Sequence, residues 1–324
     1  KWAEEKRGYE ERLARYAERE LQDEAKQLAA EKNMPEDIAL DYLRMKRGMP
    51  AAEPQQQRDS AGRFTAAPSE ADNATAQRAK ALMDQAESFE EPGELLSMYR
   101  DFSLRNRCTT AGAVKLRIAD KIFNALAFIG PDGAFLGHYA KAYPTPRELE
   151  NGISPGPGAV VVDTPAGRLG GMICYDLNFD ALAEQYRALL PDILCFSSMF
   201  HGDHLQTSRA YCARSFFVGA VKDACSSVVD PLGRELSESC YYNRIARARI
   251  NLDRFIMHQD ENIEKFPDIR RKYGKEILID TNSRLGVSLL YSCVPDRTAE
   301  EVAREFGLVP LDDLLNRSAE LAGK

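Results

Sequence analysis

The sequence feature that most restricts the fold of this chain is a regular alternation of helix-like and strand-like segments from residue 95 onward. Segments with helical periodicity lie at 95–105, 181–190, 206–221, 262–273, 298–306 and 311–320. Short apolar or alternating segments typical of strands lie at 109–116, 122–129, 134–139, 159–163, 169–174, 192–197, 224–229, 244–252, 276–280 and 286–292. Helices that alternate with strands pack as layers on sheets, so we predict a large sandwich of the α/β (α+β) class.

The first 48 residues differ from this pattern, because roughly half of them are charged and the two signs are mixed. Apolar residues recur there at helical spacing, and Pro35 and Gly48 mark the start and the end of a second helix. We predict a charged helical hairpin at 1–48 and a linker rich in Pro and Gln at 49–61. Two interpretations of the hairpin stay open: an arm for oligomerisation or docking, and a solvated appendage.

Charge and cysteine usage exclude several classes of partner. Lys and Arg number 43 against 50 Asp and Glu, which leaves a net charge of -7 and no positive excess for a phosphate backbone. No window reaches the roughly 18–20 apolar residues of a membrane span, and no signal segment opens the chain. The seven cysteines contain no CxxC pair, which favours reduced thiols. We therefore expect a cytoplasmic protein with no membrane and no nucleic-acid partner.

A cysteine at the end of an apolar strand is the first candidate for chemistry. The segment Gly170-Gly171-Met172-Ile173-Cys174-Tyr175-Asp176 leads into a helix that begins near Asp180. A thiol at such a turn lies near unpaired backbone N–H groups and a positive helix end, which lower its pKa and can hold an oxyanion. The alternative role is that of a small buried apolar side chain, which is the commoner one for a cysteine at a strand end.

A second motif stands some thirty residues upstream, where His138-Tyr139-Ala140-Lys141-Ala142-Tyr143-Pro144-Thr145-Pro146-Arg147-Glu148-Leu149-Glu150 precedes Pro155 and Gly156. In order and spacing, Tyr-x-Lys, the Pro-Thr turn, the later Glu, the Pro-Gly and strand-Cys-x-Asp resemble the nitrilase, or carbon–nitrogen hydrolase, superfamily. The resemblance covers about residues 62–252. The segments Ile122-Phe123-Asn124-Ala125 and Pro131-Asp132-Gly133 are also similar to elements of that family.

The resemblance implies a four-layer α-β-β-α sandwich that dimerises through its helix faces into a homodimer or a higher homo-oligomer. We assign residues 62–258 to this domain. Residues 259–324 resemble an extension of some bacterial members, packed on the domain or swapped between subunits. The apolar residues Tyr211, Phe216, Phe217 and Val218 of the predicted helix 206–221 would suit the subunit interface.

The resemblance also implies the chemistry of the site. Cys174 would attack an amide, N-carbamoyl or nitrile carbon and form a thioester-type intermediate that water hydrolyses. Lys141 would stabilise the oxyanion, and Glu148 would hold Lys141 in its charged state. The further groups implied at the oxyanion and the substrate are the backbone N–H of Tyr175 and the residues Asn178, Ser198, Phe200 and His201. The family needs no cofactor. His201 and His204 beside Asp203 are too weak a pattern for a metal site, so we predict none.

The sequence departs from the family at the general base. That base is expected on a Pro-Glu after the helix that here ends near Ala86, but residues 83–86 run straight into Glu87-Ser88-Phe89-Glu90-Glu91. The segment that carries the family's first catalytic Glu is therefore missing. Glu87, Glu90, Glu91 and Glu94 are candidates by proximity alone, and a solvated acidic turn is the favoured interpretation of this group. Without a positioned base, about 10²- to 10⁴-fold of catalysis would be lost.

Three functions therefore stay open. The first is a hydrolase of non-peptide carbon–nitrogen bonds. The second is a catalytically impaired nitrilase-like scaffold that acts as an interaction protein. The third is a relative that transfers an acyl group or ammonia with the same Cys, Lys and Glu.

Overall fold

The computed structural model describes residues 21–27, 43, 57–58, 64–65, 86–222, 225–240 and 242–324. The chain forms two compact units, Lys1–Arg78 and Ala79–Lys324. Most of the predicted hairpin 1–48 and of the linker 49–61 lies outside the described residues, so both stay predictions.

The first unit is described at a few positions. Residues 21–27 are helical, and Leu21, Ala25 and Leu43 are buried. Strand β1 (Gln57–Arg58) pairs antiparallel with β2 (Phe64–Thr65).

A three-stranded antiparallel sheet opens the second unit. Its strands are β3 (Thr110–Ile118), β4 (Lys121–Ile129) and β5 (Phe135–Ala140). Helix α1 (Glu94–Asn106) covers one face of this sheet, where Leu96 packs with Val114 and Leu116. The alternate burial along β3 produces this face, because successive side chains of a strand point to opposite sides. The short helix α2 (Pro146–Glu150) follows β5.

The second sheet has six strands in the order β11-β10-β9-β8-β7-β6. They are β6 (Val161–Thr164), β7 (Gly167–Ile173), β8 (Ile193–Ser198), β9 (Phe216–Val221), β10 (Ser227–Val229) and β11 (Glu235–Glu238). The central strands β7, β8 and β9 are parallel, and the outer pairs are antiparallel. Helices α3 (Asp180–Leu189) and α4 (His204–Ala213) make the connections between the parallel strands.

Two adjacent glycines in β7 show how the layers stack. A Cβ on Gly170 would lie 2.7 Å from the ring of Tyr186 in α3, and a Cβ on Gly171 would lie 2.6 Å from Tyr139 in β5. One face of β7 thus contacts the helix layer, and the other face contacts the three-stranded sheet. The layer order is α1, three-stranded sheet, six-stranded sheet, and α3 with α4, which confirms the predicted α-β-β-α fold class.

A second α/β layer pair ends the chain. Strands β12 (Arg254–His258), β14 (Val287–Ser292) and β13 (Ile277–Asn282) form an antiparallel sheet in that order. Helices α5 (Phe266–Tyr273) and α6 (Ala299–Glu305) pack on it, and α7 (Leu311–Leu321) closes the chain. The ion pairs Arg254–Asp192 and Arg214–Asp312 join this region to the six-stranded sheet and its helices. Of the helices in the described segments, none has the length and apolar character needed to cross a lipid bilayer.

The predicted helix 206–221 is wrong in its second half. Helix α4 ends at Ala213, Arg214 takes a left-handed conformation, and β9 begins at Phe216. Phe216 and Phe217 are buried in an internal strand, so they and Val218 are not part of a helix face for dimerisation. Apolar periodicity does not distinguish a short buried strand from a buried helix, which explains the error. The strand predicted at 244–252 is also displaced, because the β ladder begins only at Arg254.

Candidate active site

The turn after β7 holds Cys174 in an unusual backbone conformation. Strand β7 ends at Ile173, and a 3₁₀ turn spans Cys174–Asn178 before α3 begins. Cys174 has a φ of 50°, in the left-handed region that side-chain-bearing residues rarely adopt. Strained conformations of this kind cluster at functional sites, where the surrounding structure fixes them. The thiol is partly exposed.

Asp176 fixes this turn from beneath. Its side chain is fully buried, and its Oδ2 atom accepts hydrogen bonds from the backbone N–H of Ile173 at 2.8 Å and from the Tyr139 hydroxyl at 2.8 Å. Its Oδ1 atom accepts from the backbone N–H of Tyr143 at 2.9 Å. Burial raises the pKa of Asp176 to about 6, against the opposite effect of these three hydrogen bonds. Asp176 therefore ties the cysteine turn to the segment that carries Lys141.

Lys141 is a buried cation with a fixed backbone. Its side chain is 2% exposed, and its Nζ donates a hydrogen bond to Glu148 Oε2 at 2.7 Å. Its backbone N–H donates to the Asn124 carbonyl at 2.8 Å, and its carbonyl accepts from Gly156 at 2.8 Å. A Cβ on Gly156 would lie 2.2 Å from the Ala140 carbonyl oxygen, so this close approach needs a glycine.

Glu148 has both carboxylate oxygens occupied. Besides Lys141, Oε2 accepts from the backbone N–H of Thr145 at 2.7 Å, and Oε1 accepts from Asn124 Nδ2 at 2.9 Å. Thr145 and Glu148 also form the capping box of α2. Burial acts to raise the pKa of Glu148, but the hydrogen bonds from Lys141, Thr145 and Asn124 outweigh it and lower this pKa. The result is an ionised carboxylate that fixes and neutralises the buried ammonium group.

Cys174, Lys141 and Glu148 line one cavity of about 660 Å³. Its volume is in the range of sites for small molecules. The other lining residues are Leu95, Tyr99, Ala113, Asn124, Thr145, Ile173, Ser197, Ser198, Met199, Ala220, Val221 and Lys222. A nucleophilic thiol and a fixed cation thus share a cavity with largely apolar walls, which is an arrangement suited to attack on a polarised carbon.

The structure brings some of the predicted substrate-binding residues to this cavity and leaves others outside it. Ser198 lines it, whereas Tyr175, Asn178, Phe200 and His201 are not among its lining residues. Asn178 Nδ2 donates to the Tyr175 carbonyl at 3.0 Å, and the Tyr175 ring packs edge-on against Phe179. Phe200 and His201 follow the end of β8 at Ser198. For Tyr175 the predicted group is the backbone N–H, which directly follows the nucleophile.

Sequence reasoning did not assign a role to Asp176 or Asn124. Each carries a signal that could have found it: Asn124 is the one polar residue in the run Phe123–Ile129, and Asp176 stands two residues after the cysteine. A polar side chain in a buried segment needs hydrogen-bond partners, and both residues find theirs in the site.

Glu87 is a buried residue, not a solvated one, and it is not among the residues that line the cavity. It is 6% exposed, and its carboxylate accepts hydrogen bonds from the backbone N–H groups of Leu95 and Leu96 at the start of α1, both at 2.9 Å. Glu90, Glu91 and Glu94 are exposed, as an acidic turn predicts. Within the described part of the chain, Glu148 is the only carboxylate that lines the cavity.

Comparisons with known proteins show what this chain is similar to. The carbon-nitrogen hydrolase family model matches residues 68–255. A human omega-amidase is 27% identical over 186 residues, which cover 50% of this chain and 63% of the relative. The chloroplastic omega-amidase of Arabidopsis thaliana is 27% identical over 181 residues, which cover 48% of this chain and 49% of the relative. The chain thus spans less than two thirds of the length of both relatives.

Among solved structures, a CN-hydrolase superfamily protein of Xanthomonas campestris is 22% identical, with a TM-score of 0.42 over 52% of this chain and 69% of that chain. The family model itself matches more than half of the 324 residues, including both motifs that carry Lys141 and Cys174. On this match the chain belongs to the carbon–nitrogen hydrolase family.

Proposed function

We propose that this protein is a cysteine-dependent amidase that hydrolyses the carbon–nitrogen bond of a small amide. The observation that carries the proposal is the placement of Cys174, Lys141 and Glu148 on one cavity. N-carbamoyl compounds and nitriles present a similar electrophilic carbon and are the further substrate classes. The names of the two omega-amidase relatives support an amide among these three.

In the acylation step, Cys174 Sγ forms a bond to the carbonyl carbon and the carbon–nitrogen bond breaks. The thiol proton leaves with the nitrogen as ammonia or an amine, and the acyl group stays on the sulfur as a thioester. Negative charge develops on the carbonyl oxygen during the attack. Lys141, whose charge is held by Glu148, and the backbone N–H of Tyr175 are the groups that would stabilise it. Loss of one such donor typically costs about 10²- to 10³-fold in kcat.

In the deacylation step, water attacks the thioester, a carboxylic acid leaves and the thiol is restored. This step needs a group that accepts a proton from water. Glu148 is poorly suited to that task, because both of its oxygens already accept hydrogen bonds and its pKa is lowered. The second candidate is therefore a protein that is acylated readily but deacylated slowly. It matches the catalytically impaired nitrilase-like scaffold that the sequence left open.

The experiment that tests both candidates follows ammonia release and intact protein mass together. The full chain is incubated with aliphatic amides, ω-amides of dicarboxylic acids, N-carbamoyl amino acids and nitriles. Cys174→Ala is the inactive control, and Cys240→Ala is the matched control, because Cys240 is an exposed cysteine outside the cavity.

Ammonia release that requires Cys174 and tolerates Cys240→Ala supports the amidase. A stable mass adduct on Cys174 without turnover supports the slow-deacylation candidate. If the whole panel gives no ammonia release and no mass adduct, both candidates are contradicted.

A further inference from the structure

Three side chains that are far apart in sequence meet beside the ends of β8 and β11. One ligand-type atom from each of His201, Cys225 and Glu238 lies within 4.8 Å of the other two. His201 follows β8, Cys225 precedes β10, and Glu238 is the last residue of β11. We propose that these three residues bind a zinc-like divalent transition-metal ion.

Hydrogen bonds between neighbouring residues hold the scaffold around these three side chains in place. Gln206 is 2% exposed; its Nε2 donates to the His201 carbonyl at 2.6 Å, and its Oε1 accepts from the Ser227 hydroxyl at 2.8 Å. Ser226 and Ser239 bond to each other twice, from Ser226 N–H to Ser239 Oγ at 2.8 Å and from Ser239 N–H to the Ser226 carbonyl at 2.7 Å. The neighbours of all three ligands are therefore fixed before any ion arrives, which lowers the cost of assembling the site.

The imidazole of His201 supplies a second, independent observation. Its Nε2 atom is buried and has no hydrogen-bond partner. Its Nδ1 atom accepts a hydrogen bond from the Asp203 N–H at 3.0 Å. A buried polar atom without a partner is rare and costly in a folded protein, and an ion at Nε2 would satisfy it.

Binding moves two protons. With Nδ1 as an acceptor, the neutral ring carries its proton on Nε2. Coordination through Nε2 shifts that proton to Nδ1 and gives up the hydrogen bond from Asp203, which lies with Gly202 in the short connection before α4. Cys225 loses its thiol proton to solvent, so one proton is released for each ion bound.

A carboxylate beside a thiol favours a cation at this place. The ligand atoms of Glu238 and Cys225 lie within 4.8 Å of each other, and a divalent ion between sulfur and carboxylate is attracted to both.

The donor set selects the class of ion. One nitrogen, one sulfur and one oxygen suit zinc and its transition-metal neighbours, whereas calcium and magnesium prefer oxygen ligands alone. Three protein ligands leave a fourth position of a tetrahedral ion for water or another small ligand.

In the sequence, His201 stands close to His204 and Asp203. In the structure, the potential metal ligands grouped with it are Cys225 and Glu238. The side chain of His204 is 79% exposed and pairs with Asp203 at 3.6 Å. Cys225 precedes β10 and Glu238 ends β11, and these strands are separated from β8 by β9 in the sheet. No local sequence motif therefore predicts that the two residues lie near His201.

The test is a titration of the full chain with Co²⁺ and competition by Zn²⁺, in a Cys174→Ala background that removes the cavity thiol. Co²⁺ bound to a thiolate gives a charge-transfer absorption band, so the spectrum reports directly on a cysteine ligand. The three variants are His201→Gln, Cys225→Ser and Glu238→Gln. Each has a matched control of the same residue type nearby: His204→Gln, Cys240→Ser and Glu235→Gln.

We expect Cys225→Ser to abolish the charge-transfer band, and the other two site variants to weaken Zn²⁺ binding by more than about tenfold. The three controls should bind like the parent. Zn²⁺ should also raise the Tm of the parent in a concentration-dependent way and leave that of Cys225→Ser unchanged, which separates a lost site from a misfolded variant. Metal binding that survives Cys225→Ser, an equal loss in Cys240→Ser, or no binding by the parent overturns the proposal.

Discussion

The Tyr139 hydroxyl donates a 2.8 Å hydrogen bond to the buried Asp176 carboxylate, and this contact joins the two segments that carry the candidate nucleophile and the buried lysine. Tyr139 stands two residues before Lys141 in the chain, and Asp176 stands two residues after Cys174. The same hydroxyl accepts from the Ala142 N–H at 3.1 Å. The relative position of sulfur and ammonium thus depends on a pair of residues that does not line the cavity.

Replacing Asp176 by Asn tests this dependence. The amide keeps the shape of the carboxylate but turns one acceptor oxygen into a donor that faces an N–H group, of Ile173 or of Tyr143. Two buried N–H groups that face each other without an acceptor should lower the free energy of unfolding by about 1–3 kcal/mol. We also expect slower alkylation of Cys174 by iodoacetamide in the folded protein. Urea unfolding and mass-detected alkylation measure the two effects.

Tyr139→Phe is the matched control for that variant, because it removes the hydroxyl and leaves both backbone N–H groups on the carboxylate. Its effect on alkylation should be smaller than that of Asp176→Asn. Equal alkylation rates in Asp176→Asn and the parent would contradict a positioning role for Asp176.

The titration of Asp176 gives a pH dependence with a definite sign. Because burial raises its pKa from 3.8 to about 6, the native protein binds this proton more tightly than the unfolded chain does. The stability that Asp176 contributes is therefore complete below its unfolded pKa and is lost as the pH rises from 3.8 to about 6. This difference of about two in pKa corresponds to about 3 kcal/mol of folding stability.

Urea unfolding across this pH range in parent and Asp176→Asn isolates the effect. The parent's free energy of unfolding should exceed that of Asp176→Asn by an amount that decreases as the pH rises and stays constant above about pH 6. An advantage that grows with pH would show that the carboxylate form, and not the protonated form, is favoured by folding.

The Lys141–Glu148 pair yields a third prediction, in stability and in activity. Glu148→Gln removes the counterion of a lysine that is 1% exposed, and breaking a buried pair in this way typically costs about 3 kcal/mol or more. The double variant Lys141→Met/Glu148→Gln should recover part of that stability, because it buries no unpaired charge. Both proteins should lose amide hydrolysis by at least about 10²-fold.

Thermal unfolding of the two single variants and the double variant completes the cycle. Additive losses in the double variant would mean that the two side chains do not depend on each other. The pair also has a pH signature: since the pKa of Glu148 is lowered, its contribution is present above its unfolded value of 4.5 and is lost as the pH falls below it.

These residues show which parts of the site a sequence can predict. Lys141, Glu148 and Cys174 stand in local motifs whose order and spacing are recognisable, and the fold brings them to one cavity. Asp176 and Asn124 act through contacts with residues 24 to 37 positions away, which no local pattern expresses. His201 meets Cys225 and Glu238 only because β8, β9, β10 and β11 are neighbours in one sheet.

The fold shows a similar division. Strands with alternate burial, such as β3, and helices with clear ends, such as α6 with its Thr298–Glu301 capping box, were predicted close to their observed bounds. The run from Phe216 to Val221 was taken as the continuation of a helix, because a strand buried on both faces carries no period of two. The other two central strands, β7 and β8, were predicted within two residues of their observed bounds, so the error is confined to the junction between α4 and β9.

The last prediction concerns Gly156, whose N–H donates to the carbonyl of Lys141. In Gly156→Ala the new methyl group would lie 2.2 Å from the Ala140 carbonyl oxygen, which is a backbone atom that cannot rotate away. The segment must shift, and overpacking of this kind typically costs about 1–3 kcal/mol. Because the shift moves the backbone of Lys141, activity should fall further than stability alone explains. Gly152→Ala is the control: its φ of 83° is unfavourable for alanine, but no atom lies within 4 Å of the new methyl group. Differential unfolding by urea and amide hydrolysis at a temperature where both variants are folded measure the two effects. If Gly152→Ala loses as much activity as Gly156→Ala, backbone strain in the loop, and not displacement of Lys141, controls the site.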